Sequence, residues 1–137
     1  MIRVYPPETV VAEKYEAMVT LGIANTRMKD FYDLFTLSEA HAFDGGTLSA
    51  AIANTFARRG TPLPIEQPIA LTPAFGAGTD KARQWRAFLM RSRLTQVAAL
   101  PQIVEQIGSF IWTASQAARS RRANRAVWLP GIGWTDG

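Results

Sequence analysis

Two short stretches hold the side chains of this sequence that could do chemistry together: "AEK" at residues 12–14 and "RMKDFYDL" at residues 27–34. They supply one lysine, Lys14, two aspartates three positions apart, Asp30 and Asp33, and the flanking cations Arg27 and Lys29. On a helix, positions three apart share a face, so the two carboxylates point the same way. If two helices run antiparallel around a turn at Gly22, Lys14 sits ~12 Å below the end of the first, at 1.5 Å per residue. Asp30 and Asp33 then lie ~5 and ~9 Å into the second, and Asp30 can meet the Lys14 ammonium across the groove. A lysine held in this way among acids and bases suits a triphosphate contact. It equally suits a structural ion pair that registers the two helices, and the residues alone leave both readings open.

Other chemistries find less support. The chain has no cysteine, which excludes disulfides and thiolate metal sites. Its single histidine, His41, reads as a helix-end residue near a C-terminal dipole, so no metal ligands are assigned. There is neither a nucleophile elbow nor a P-loop. The turn "DGGTL" at residues 44–48 has the glycine pair that opens a triphosphate loop in nucleotidyltransferases, but such a site needs an Asp-x-Asp pair soon after for two metal ions. The next aspartate is Asp80, so the stretch reads as a turn with Thr47 as a helix N-cap.

The positioning elements follow from periodicity. "IRVY" alternates like a short strand until Pro6 and Pro7 end it and seat a helix over residues 7–21, with Val11, Tyr15, Met18 and Val19 inward and Gly22 as the stop. A second helix carries Met28, Phe31, Leu34, Phe35 and Ser38 on its inner stripe, and the short connector makes the two helices antiparallel neighbours. A third runs from Thr47 through Leu48, Ile52 and Phe56 to Gly60. The stretch 61–78, rich in proline and glycine, reads as an ordered apolar loop or hinge. Thr79 or Asp80 caps a fourth helix, and a fifth follows with a kink or fresh start at Pro101. The expected fold is all-α: a five-helix, bundle-like domain over residues 1–118 with an N-terminal strand remnant, then a basic and Gly/Trp-containing loose tail over 119–137.

With 137 residues, 47% of them hydrophobic, one domain with a real core is expected. No apolar run approaches the ~20 residues of a membrane span. The beginning of the chain lacks a signal-peptide pattern, so a cytoplasmic protein with no membrane partner is expected. A formal charge of +4, with arginines gathered in "KARQWRAFLMRSR" and "ARSRRANR", suits either a solvated basic face or a polyanionic partner.

Residues 5–37 resemble the later half of the AbiEii-type nucleotidyltransferases, the toxins of type IV toxin–antitoxin and abortive-infection systems. Two motifs carry the resemblance: Ala-Glu-Lys at Ala12, Glu13 and Lys14, and Arg-x-Lys-Asp-x-x-Asp-Leu at Arg27, Lys29, Asp30, Asp33 and Leu34. It extends plausibly over residues 3 to 115. The resemblance implies that Lys14 contacts nucleotide phosphates, that Asp30 completes the cleft, and that Glu13, Arg27, Lys29 and Asp33 support it. It also implies magnesium and a nucleoside triphosphate for the complete enzyme, and a tRNA end as acceptor. The family's glycine-rich turn and metal-binding aspartates, which lie upstream, have no match here, so we expect a truncated or split member that is inactive alone and needs no cofactor by itself. Two alternatives stand beside this: a helical module that pairs with a catalytic chain or an antitoxin, and a basic nucleic-acid-binding helical protein.

Overall fold

The computed structural model describes residues 5–24, 27–95 and 97–136. Its elements in chain order are α1 (Pro7–Leu21), a 3-10 turn (Gly22–Ala24), α2 (Met28–Ala40), β1 (Phe43–Asp44), α3 (Gly45–Arg59), a 3-10 turn (Ile69–Leu71), α4 (Pro73–Ala77), α5 (Thr79–Arg91), α6 (Leu100–Ser120), β2 (Val127–Leu129) and β3 (Gly133–Thr135). The fold is mostly helical. The strand expected at "IRVY" falls largely on residues 2–4, outside the described residues.

The helix ends follow elementary chemistry. Pro6 and Pro7 seat α1, and Gly22 ends it with φ +58°, where an L side chain would be strained. Pro101 gives α6 a fresh start rather than a kink. At α3 the N-cap is Asp44, not Thr47: its carboxylate accepts from the Thr47 N–H and hydroxyl, both at 2.9 Å. The glycine pair is therefore the first turn of a helix, and Asp44 is held below the usual carboxylate range by these bonds. At α5 the capping position is Gly78, with no side-chain cap from Thr79 or Asp80.

One core unites the elements. Long α6 packs against α2, α3 and α4, and α3 also packs along α1. Val11, Tyr15, Phe31, Leu34, Leu48, Ile52, Phe56, Ile103, Ile107 and Phe110 are all buried in it. Tyr15 reaches Ser115 on α6, with 2.7 Å between the hydroxyl oxygens. Helix α1 packs more extensively on α3 than on α2, so the close neighbour expected from the short connector is the lesser one.

Two segments differ from the expectation. The proline-rich stretch contains a sixth helix, α4, which buries Phe75 and stacks it on Phe31 at 5.1 Å. A Cβ on Gly76 would lie 2.9 Å from Pro101 Cα, so glycine there lets α4 touch the start of α6. The C-terminal segment is not loose. Strands β2 and β3 form a hairpin that adds to β1 in the order β1-β2-β3, all antiparallel. Trp128 is buried and its indole N–H donates to the Ser38 carbonyl at 2.8 Å; the Trp134 indole donates to the Phe110 carbonyl at 3.0 Å. Two tryptophans with satisfied N–H groups dock the segment onto α2 and α6. Among the described residues no helix is long and apolar enough to cross a membrane.

Candidate functional site

Helix α1 turns Val11, Tyr15 and Met18 to the core and holds Glu13 and Lys14 half-buried and Glu16 buried at the margin of that face. Helix α2 carries Lys29, Asp30 and Asp33, with Phe31 and Leu34 inward. Across the gap, Lys14 Nζ lies 2.9 Å from Asp30 Oδ1 and 3.1 Å from Asp33 Oδ2. Arg27 Nε lies 2.8 Å from Asp30 Oδ2, although its N–H does not aim squarely at that oxygen. Lys29 pairs with Asp33 at 2.7 Å.

Burial sorts these groups. The Asp30 side chain is 6% exposed and Lys14 20%, whereas Lys29 is 74% exposed. Burial alone would pull the Lys14 ammonium down, but hydrogen bonding and charge from Asp30 and Asp33 outweigh it and hold the group above the ordinary lysine range. Lys14 is thus a fixed cation that keeps about one-fifth of its side chain exposed. Beside it opens a groove of about 310 Å³, lined by Val10, Glu13, Lys14, Ala17, Arg27 and Arg59.

The structure therefore brings Lys14, Arg27, Lys29, Asp30 and Asp33 into one cluster. Glu13 lines the same groove but faces another way, with its carboxylate 3.0 Å from Arg59 Nη2. Sequence reasoning missed Arg59 and Glu16. Arg59 Nη1 lies 2.8 Å from Glu16 Oε1, while the hydroxyls of Thr20 and Thr61 each donate to Glu16 Oε2 at 2.7 Å. Burial would raise the Glu16 carboxyl, but these donors together lower it below the usual range. The only sequence signal was Glu16 three positions after Glu13, on the same helix face. Nothing local pointed to Arg59, which reads as a basic residue in the last turn of α3.

The magnesium implied by the resemblance does not fit these residues. Asp30 and Asp33 are already matched by Lys14, Arg27 and Lys29, and among the described residues no group of three or more His, Asp or Glu side chains is placed to hold a metal ion. Three cations, Lys14, Arg27 and Arg59, border the groove, each paired with a carboxylate, and Lys14 does not readily lose its proton.

The sequence model of one family, described as nucleotidyl transferase AbiEii toxin, type IV TA system, matches residues 1–110. No curated protein and no solved structure matches.

Proposed function

The chain belongs to the AbiEii nucleotidyl transferase toxin family, and from that premise we propose that the groove beside Lys14 binds the phosphates of a nucleoside triphosphate. The observation that carries this is the placement of Lys14, 20% exposed at the groove's edge with its charge held by Asp30 and Asp33 at 2.9 and 3.1 Å. A lysine prevented from swinging loses little entropy when a phosphate arrives. Asp30 acts on the ligand through Lys14, since its two oxygens face Lys14 and Arg27. Asp33, Lys29 and Arg27 keep that ammonium oriented.

In this reading, residues 1–137 bind but do not transfer by themselves. In nucleotidyl transfer, metal ions held by carboxylates would neutralise the charge that develops on the phosphate oxygens. Those carboxylates come from outside this site, in a segment or chain not described here. The acceptor in this reading is an RNA end such as that of tRNA, in keeping with the net positive charge. The test is titration of the protein with each nucleoside triphosphate by calorimetry, alongside incubation with magnesium, labelled nucleotide and a tRNA pool. Binding that falls at least tenfold in Lys14→Met, with no label transferred, is the expected result. Undiminished binding in Lys14→Met refutes the phosphate role; robust Lys14-dependent labelling refutes the need for outside carboxylates.

A second reading, a module that docks on a partner chain, is favoured by one surface. Ile65 is 74% exposed and lines a groove with Val19, Pro62, Leu63 and Pro64. A toxin of a type IV toxin–antitoxin system implies an antitoxin partner, and a catalytic chain is the other candidate for this face. Light scattering on material recovered from cells tests the docking: a co-purifying chain released by Ile65→Asp supports it, and a monomer with no partner refutes it.

A further inference from the structure

The phosphate reading assigns nothing to Arg59, yet this side chain leaves the last turn of α3 to line the same groove as Lys14. We propose that Arg59 is a second phosphate ligand of the groove, kept ready by Glu16 and masked by Glu13, whose ion pair the incoming phosphate displaces. This inference rests on the reading of the groove as a phosphate site.

The two ends of the guanidinium are held differently. Nη1 meets Glu16, whose side chain is 8% exposed and whose other oxygen is filled by Thr20 and Thr61. That carboxylate is fully satisfied by donors from α1, α3 and the following loop, so it anchors the guanidinium in place. Nη2 meets Glu13 at 3.0 Å, and there both partners are about one-third exposed. Exposed pairs of this kind contribute little to stability, so one can be exchanged at small cost. A charge-assisted hydrogen bond to a multiply charged phosphate is the stronger contact.

Arginine suits the task better than lysine because its planar fork can keep one carboxylate while offering its other edge to a phosphate. Glu13 and Lys14 both line the groove, so the carboxylate that masks Arg59 borders the same space as the cation that receives the ligand. The empty groove is then close to charge-balanced and gains its anion affinity when Glu13 lets go. The exchange breaks one ion pair and forms another, with no covalent step.

Calorimetric titration of the full chain with inorganic triphosphate tests this. Glu13→Gln should tighten binding roughly two- to fivefold, the range set by the weakness of an exposed pair. Arg59→Met should weaken it by about tenfold. In the double variant the Glu13→Gln gain should vanish, which separates exchange through Arg59 from a mere loss of negative charge. A gain that persists without Arg59, or no gain in Glu13→Gln alone, overturns the proposal. If Arg59→Met fails to fold, Arg59→Gln is the background, because a neutral amide can still donate to Glu16 but offers no charge to a phosphate. Lys14→Met separates the two layers of inference: unchanged binding there overturns the phosphate site itself. Binding that depends on Lys14 but shows no coupling between Glu13 and Arg59 overturns only the exchange.

Discussion

Lys14→Met deletes the ammonium shared by Asp30 and Asp33 while keeping a side chain of similar length along α1. Asp30 Oδ1 then loses its partner at 2.9 Å, although Oδ2 keeps Arg27 at 2.8 Å and Asp33 keeps Lys29 at 2.7 Å. Breaking a fully buried pair typically costs about 3–5 kcal/mol, and an exposed one about 0–1 kcal/mol. Lys14 is 20% exposed and Asp30 6%, with two cations left in place, so the expected cost lies between, at about 2 kcal/mol. With a urea m-value of roughly 2 kcal/mol per molar, the unfolding midpoint should fall by about 1 M. Asp30→Asn in the Lys14→Met background should cost less than in the wild type, with a coupling energy above about 1 kcal/mol. The pH dependence has a definite sign. Because Lys14 is held above its usual value near 10.5, its contribution is present below that pH and fades as pH rises through the folded-state value. The gap between wild type and Lys14→Met should therefore stay level from neutral pH to about 10 and close above it. A loss under about 0.5 kcal/mol without coupling would refute the claim that this ion cluster ties α1 to α2.

Other outcomes follow from the same structure. Burial pushes the Tyr15 phenol up to about 12 from 10.0 despite its hydrogen bond with Ser115, so folding loses stability between pH 10 and 12, by about 3 kcal/mol at most. Tyr15→Phe should remove that part of the alkaline decline in urea titrations, and an unchanged alkaline limb would contradict it. Glu16, lowered below the usual carboxyl range, contributes stability at neutral pH that is lost as pH falls through its folded value. Glu16→Gln should destabilise at pH 7, and the difference should shrink as pH falls below the usual glutamate range; a gap independent of pH would count against the cluster. Trp128→Ala should cost about 3–5 kcal/mol, as for a large buried side chain. A melting curve unchanged by that substitution would mean that the hairpin does not belong to the core.

The helices were legible because apolar spacing is a local property. Val11, Tyr15 and Met18 on α1, and Leu48, Ile52 and Phe56 on α3, fall inward as their periodicity requires. Helix α4 was not, because four prolines between residues 61 and 78 argue against helix; at Pro73 the ring occupies the first turn, where a missing N–H costs nothing. The hairpin was hidden for a similar reason. Strands of three residues, Val127–Leu129 and Gly133–Thr135, leave almost no alternation to read, and two tryptophans docking on α2 and α6 supply what local propensity does not.

For the candidate site, the sequence by itself determined which residues share a helix face. Asp30 and Asp33 lie three apart, Lys14 sits where helical rise can bring it to their level, and the two family motifs contain these same positions. Tertiary structure decided what each of them touches. It closed Lys14 onto both aspartates at once, turned Glu13 away towards α3, and brought in Arg59 from 43 residues beyond Glu16. The physical reason lies in packing. Helix α1 buries its apolar stripe chiefly against α3, and that contact, with no trace in local spacing, sets which charges meet across the groove.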